Sequence, residues 1–261
     1  MLDIIHIHGF KCAGTTFQKI LFREYQKKLL LVESKKQGKR LFADELLNSN
    51  ELKPYHQSIS SHLLAISNDL LDLSKIGVSF IRHPYKRIMS AWRFQFYKQK
   101  TTSDNFKKFL DNYKGSILSN YQSKLFSIQT KSTNFSSGWE FNIDLEMLFG
   151  ENFFVGVVEY FDESMVVLEH LLQEKEISID LSYPKVLNTT GNLVTKKHAN
   201  LLRYGYSAFD SDLWLHKIAI ENLNSKIKNI EDFSKKLSNY KKRCKSSRFT
   251  KGPQKVSYIS N

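Results

Sequence analysis

Three groups of residues in this chain have types and spacings suited to chemistry on an anionic ligand. The first is the run His8-Gly9-Phe10-Lys11-Cys12-Ala13-Gly14-Thr15-Thr16. Gly9 and Gly14 let a backbone approach a ligand closely, Lys11 adds a full positive charge, and Thr15 and Thr16 add hydroxyl donors that also cap helices. The run opens into the helical pattern Phe17, Ile20, Leu21. Its amides are therefore those of a helix start, where N–H groups lack partners within the helix and the dipole favours negative charge. Phosphate or sulfate is the expected guest, and a plain glycine-containing turn is the competing reading. The Gly9 to Gly14 spacing is that of a Walker A loop, but Walker A needs Lys directly after the second Gly, and Thr15 stands there.

The second group is Arg82 and Ser90, within Phe80-Ile-Arg82-His83-Pro84-Tyr-Lys-Arg87-Ile-Met-Ser90-Ala-Trp92. Pro84 suits the first turn of a helix, because its missing N–H would be unpaired there anyway. Arg82 then falls at the end of the preceding strand, where α/β sheets bind ligands, and Ser90 about two turns into the helix. Together they can hold a second anionic group; alone, the stretch reads as an Arg snorkelling at a helix start. The third group is titratable: His62, Glu159 and His8. His62 lies behind Ser58, Ser60 and Ser61, which are good cap residues, and a histidine so placed is commonly just a partly buried, hydrogen-bonded side chain. Cys12, at a helix start that lowers thiol pKa, is either reactive or simply a small loop residue.

Positioning these groups requires alternating strands and helices. Ile4 to His8 reads as a buried strand, Thr15 to Lys28 as a helix, Leu29 to Val32 as a second strand, and residues 41 to 73 as mostly helical, from the near-helical spacing of Leu63, Leu64, Ile66, Leu70 and Leu71. Ile76 to Ile81 is a further strand. Residues 98 to 151 read as an insertion that shapes an acceptor site, with a short helix at Asn105 to Tyr113. Phe153 to Tyr160 is a buried strand ending near Glu159, and Asp162 begins a helix. Asn188 to Asn192 is read as loop, Asp212 to Lys228 as helix, and a last helical pattern from Ile230 leads into a basic tail.

With 261 residues and 41% apolar content the chain can bury a full core as one domain. No apolar run reaches the roughly 18 to 20 residues that span a bilayer, and a strand starting at Leu2 leaves no room for a signal peptide, so a cytoplasmic protein is expected. Cys12 and Cys244 form no disulfide framework. Of the net charge of +13, nine Lys or Arg and no acid lie between Phe233 and Asn261. That leaves only +4 for the rest, so the excess belongs to the tail. Such a tail attracts nucleic acid, anionic membrane or acidic glycan, or is a solvated extension, and charge alone selects none of these. No metal-ligand spacing occurs.

Four stretches in order resemble a known family. His8 to Thr16 is similar to a loop usually written HIPKTGGTS; Phe80 to Ala91 resembles an RDPxxRxxSxY element; Asn120-Tyr-Gln122-Ser-Lys-Leu125 resembles NxQxxxL; and Val155-Gly-Val-Val-Glu159-Tyr-Phe161-Asp-Glu-Ser164 resembles VGxxExFxxS. These are elements of sulfotransferases that use 3′-phosphoadenosine 5′-phosphosulfate (PAPS), of the carbohydrate type related to heparan sulfate 2-O-sulfotransferases. Phe10 stands where the family has Pro, His83 where it has Asp, and Tyr160 where it has Arg. The resemblance implies an α/β, P-loop-like single domain over residues 1–232, with a central mainly parallel sheet flanked by helices. It implies that Lys11, Cys12, Ala13, Gly14, Thr15 and Thr16 bind the 5′-phosphosulfate, that Arg82 and Ser90 bind the 3′-phosphate, and that no metal takes part. A histidine between the two cofactor motifs is the general base in the related enzymes, and His62 corresponds to it by relative position, with Glu159 and His8 as rivals. In the tail, residues 233–261, Lys251-Gly252 is faintly similar to a basic glycine loop that closes over the 3′-phosphate, an unstructured extension being the other reading. The expected acceptor is a hydroxyl or amine of a glycan or other hydroxylated molecule, acidic ones included, and the expected product nucleotide is 3′-phosphoadenosine 5′-phosphate (PAP). A P-loop kinase and a non-catalytic nucleotide- or nucleic-acid-binding protein are the alternatives; nucleic acid is not the expected partner.

Overall fold

The computed structural model describes residues 1–35, 40–95, 103–113, 119–128, 142–184, 209–249 and 256–259. Its first strand, β1 (Leu2–Ile7), is a near-continuous apolar run, as a parallel strand covered on both faces requires. Ile4, Ile5 and Ile7 are fully buried. The chain continues through helix α1 (Gly14–Tyr25), β2 (Leu29–Ser34), α2 (Ala43–Leu47), β3 (Ser58–Ser61), α3 (Asn68–Leu71), β4 (Ser74–Ile81) and α4 (Pro84–Gln95). Then come α5 (Ser103–Tyr113), α6 (Tyr121–Phe126), α7 (Leu145–Phe149), β5 (Phe153–Val157), α8 (Phe161–Glu174), α9 (Asp210–Lys228), α10 (Phe233–Ser246) and β6 (Val256–Ile259).

The six strands form one sheet in the order β5-β4-β1-β3-β2-β6, and every pairing is parallel. This is the single α/β domain with a parallel sheet that the sequence implies. After β1 the chain moves to β2 and β3 on one side, and after β4 it moves to β5 on the other. The carboxyl ends of β1 and β4 therefore flank the point where the winding reverses, where open α/β sheets form their ligand crevice. Among the described residues, no helix is long and apolar enough to cross a membrane.

Two expectations need correction. The segment 41–73 is not mostly helical: α2 and α3 are single turns, and Ser58 to Ser61, expected as helix caps, are strand β3 between β1 and β2. A strand of sequence SISS can be fully buried because its hydroxyls bond within the sheet; Ser58 Oγ donates to the Ile4 carbonyl at 3.0 Å, and Ser60 Oγ meets His6 Nδ1 at 2.8 Å. The residues from Phe233 onward are also not simply a tail. Helix α10 packs on α8 and buries Tyr240 and Cys244 in the main core, while β6 pairs with β2 as an edge strand. The expected loop at Asn188 to Asn192 lies outside the described residues.

Candidate active site

The site is assembled at the carboxyl ends of three adjacent strands. Ile7 of β1 is level with Ser61 of β3 and Ser79 of β4, so His8 and His62 emerge side by side and Arg82 follows β4 on the far side of the phosphate-type loop. A cavity of about 360 Å³ is lined by His8, Phe10, Lys11, Ala13, Gly14, Thr15, Thr16, His62, Arg82, Ser90, Phe94 and Val158. This is within the size range of small-molecule sites. One cavity thus gathers all the expected cofactor residues among those described except Cys12, together with His62 and His8.

The loop after β1 turns through two residues with positive φ, Lys11 at 62° and Ala13 at 61°. Backbone turns of this kind point successive amides toward one concavity. Ala13 is the cap residue of α1 and offers no side-chain hydrogen bond, so the first amides of the helix face the cavity without a side-chain cap. The Lys11 ammonium lies 4.5 Å from the centre of the Phe94 ring. Burial and the neighbouring Arg82 both lower its pKa. Neither Lys11 nor Arg82 forms an ion pair among the described residues, and Arg82 Nε is buried without a hydrogen-bond partner. Unpaired cations at a helix start in a walled cavity fit a ligand with two separated anionic groups.

Gly14 lines the cavity and also makes room for an imidazole, since a Cβ added there would fall inside the His8 ring. Cys12 is not a reactive thiol: it is buried, its Sγ faces Gln122 Oε1 at 3.4 Å, and burial pushes its pKa up to about 12.

His62 is held on every side. Its backbone N–H donates to Glu33 Oε1 at 2.9 Å, its carbonyl accepts from Arg40 Nη1 at 3.2 Å, and its Nδ1 lies 2.9 Å from the His8 carbonyl oxygen. A carbonyl can only accept, so Nδ1 carries the proton and Nε2 keeps its lone pair. Desolvation lowers the pKa, the bond to His8 opposes this, and Arg40 adds to the lowering. His62 is thus a neutral imidazole with an accepting nitrogen beside the anion loop. Glu159 sits differently. It follows β5 but does not line the cavity; it accepts from the His83 amide at 3.1 Å and pairs with His216 Nε2 at 3.1 Å. Burial works to raise its pKa, but the bonds from His216 and the His83 amide prevail and hold it below the usual carboxylate value. A carboxylate so tied is a poor proton acceptor. His8 is buried and its pKa is driven far down by burial and by its histidine neighbours, which leaves it neutral.

The Asn120 to Leu125 stretch braces the cofactor side of the cavity. The Gln122 carboxamide accepts from the Arg82 amide at 2.7 Å and donates to the Arg82 carbonyl at 2.9 Å. Tyr121 Oη accepts from the Phe10 amide at 3.0 Å, while the Arg87 guanidinium lies 4.8 Å from the centre of the Tyr121 ring. Asp212, fully buried on α9, accepts from the amides of Gln122 and Ser123 and from Ser123 Oγ, and lies 4.0 Å from Arg87 Nη2. Sequence reasoning missed Asp212, Arg40 and Glu33, whose partners are 22 to 90 residues away. No signal short of the fold joins them. Lys251 and Gly252 lie outside the described residues.

A crystal structure of mouse sulfotransferase SULT7A1 complexed with PAP aligns over 92% of this chain and 89% of its own, at 12% identity and a TM-score of 0.39. No curated protein matches the sequence. The model of the sulfotransferase family matches residues 3–178, about two thirds of the length and every element that lines the cavity. By that match the chain belongs to the sulfotransferase family.

Proposed function

We propose that this chain transfers a sulfuryl group from PAPS to a hydroxyl or amine of a glycan, with His62 as general base. The observation that carries the reading is the single cavity in which the α1 start, Lys11, Arg82, Ser90 and the accepting nitrogen of His62 meet. When bound, PAPS supplies an activated sulfuryl group on a phosphate leaving group. Lys11 and the amides and hydroxyls of Thr15 and Thr16 hold the 5′ end and stabilise charge on the departing phosphate. Arg82 and Ser90 hold the 3′-phosphate. His62 Nε2 takes the acceptor's proton, and Nδ1 stays bonded to the His8 carbonyl throughout. Catalysis of this kind rests on positioning and charge, and no metal is invoked.

The test is transfer of label from sulfuryl-labelled PAPS to a panel of acidic and neutral glycans. His62→Ala should lower turnover by roughly 10² to 10⁴-fold while PAP affinity holds. Absence of PAP binding would overturn the assignment of the cavity, and full activity in the variant would overturn the base. Lys251 and Gly252 are proposed to close over the 3′-phosphate. Because truncation there would also remove β6, the substitution Lys251→Ala is the test, and unchanged PAP affinity would dismiss the role.

A further inference from the structure

We infer that His8 is a positioning residue, its ring forming one wall shared by His62 and the first turn of α1, and that residue 14 is glycine in order to admit that ring. The inference rests on the reading of His62 as base and adds to it a second histidine and a reason for Gly14. Three observations carry it. First, the register places His8 and His62 at neighbouring positions beyond the paired residues Ile7 and Ser61, and their rings stack with centroids 3.6 Å apart and planes 29° apart. Second, the His8 main chain supplies the carbonyl that fixes the His62 tautomer, so ring and backbone of one residue orient the other from two directions. Third, on its other side the His8 ring occupies the space where any side chain at residue 14 would stand.

Below His8 the column continues to His6, whose ring lies 5.3 Å away at 21°. Because side chains alternate along an extended chain, His6 and His8 fall on one side of β1 and its continuation, and Ser60 and His62 on one side of β3 and its continuation. His6 is fully buried against Phe17 and Ser60. The base therefore stands on a packed stack that reaches the core, and the anion loop leans on the same stack. Shifting the His8 ring would move base and cofactor loop together, and misplacement on the order of 1 Å can cost 10²-fold in rate.

The groups facing His62 are His8 and His6 from β1, Glu33 from β2, and Arg40 from the segment before α2, with Lys11 and Arg82 lining the same cavity. Of these, His8 shields one ring face. His8→Ala keeps the carbonyl but opens that face to water, whereas His8→Phe keeps a ring in place.

The experiment combines a pH profile with a double-mutant cycle. In His8→Ala the acidic limb of the kcat profile should move up toward the ordinary imidazole value near 6.5, with kcat lowered about tenfold or more, and His8→Phe should restore both in large part. An unmoved limb in His8→Ala, or no restoration by Phe, overturns the positioning role. Independently of catalysis, Gly14→Ala should weaken PAP binding and lower Tm in the normal background and do much less in the His8→Ala background. Equal losses in both backgrounds would mean that Gly14 serves the ligand and not the ring. The Tm half of the cycle needs neither PAP nor turnover. Failure of the sulfuryl-transfer reading would therefore show as absent PAP binding with the Tm coupling intact.

Discussion

The two halves of the cavity are held by opposite means. On the β1 side, the loop His8 to Thr16 is positioned by its own neighbours: positive-φ turns at Lys11 and Ala13, the α1 start, and a histidine stack that Gly14 is shaped to fit. On the β4 side, Arg82 is positioned from far away, by Gln122, which is in turn anchored by Asp212 across 90 residues. The first half is mainly turn geometry and steric fit, with the Phe10 amide bonded to Tyr121 Oη; the second is a chain of buried polar bonds. Steric fit is degraded gradually by substitution, whereas a buried polar network fails when one member is removed, because the desolvated partners left behind have no water to turn to.

The largest effect should therefore come from a residue outside the cavity. Asp212→Ala leaves the amides of Gln122 and Ser123 and the buried Arg87 without their carboxylate, and loss of one partner of a buried pair typically costs about 3–5 kcal/mol. At about 2–4 °C per kcal/mol for a chain of this size, Tm should fall by about 10 °C. A fall under about 3 °C would show that the network does not carry the β4 side. Next in size is Arg82→Ala, which should cost PAP roughly tenfold or more in affinity, since a charge-assisted hydrogen bond contributes about 1.5–3 kcal/mol. Adenosine 5′-phosphosulfate, which lacks the 3′-phosphate, should bind the variant nearly as well as it binds the parent. Equal losses for the two nucleotides would remove the 3′-phosphate from Arg82.

The same contrast governs what the sequence revealed. The β1 loop was legible because its parts are contiguous: an apolar strand, two glycines, a lysine and two threonines in 16 residues. The strands β4 and β5 were legible for the same reason. β3 was not, since three of its four residues are serine, and only burial against β1 shows that their hydroxyls are satisfied within the sheet. β6 was hidden within a basic stretch whose composition argued for solvent. His62 was found by its place between two motifs, but its neighbours Glu33 and Arg40 and its partnership with His8 depend on strand order, which no local pattern contains. Gln122 was noticed as part of a motif but given no task, because its task is defined by Arg82 and by Asp212 on another helix.

Acid sharpens the comparison, since the histidine column and Glu159 should respond in different windows. Burial lowers the pKa of His6 to about 3, whereas the unfolded chain takes up a proton near 6.5. Between those values the unfolded state binds more protons, so stability falls as pH drops below about 6.5, by about 1.4 kcal/mol per pH unit for His6 alone. His8, also lowered, adds to the fall. On the β4 side Glu159 has a lowered pKa, so its contribution is present above the ordinary carboxylate range near 4.3 and is lost only as pH falls through its folded value. Denaturant melts should therefore change little from pH 7.5 to about 6.5 and lose stability steadily from there to pH 5, and the slope should ease in His8→Phe. A flat profile over that range would mean that the histidine column is not held neutral in the folded state.

The smallest effect is a gain. Ala13 holds φ at 61° with a Cβ present and no capping bond to repay it. Left-handed backbone costs an ordinary L residue about 1–2 kcal/mol. Glycine removes that cost but adds about 0.4–1 kcal/mol of unfolded-chain entropy. The two nearly offset, and Ala13→Gly should be neutral or stabilising by at most about 1 kcal/mol, raising Tm by no more than about 4 °C. PAP affinity should stay within about twofold, because the amides of the loop keep their directions. This variant probes the local half of the site without touching charge, stack or network, so it isolates backbone strain from everything else that shapes the loop. A clear fall in Tm would show that the methyl of Ala13 contributes packing worth more than the strain it imposes, and the β1 side would then be held by contacts rather than by turn geometry.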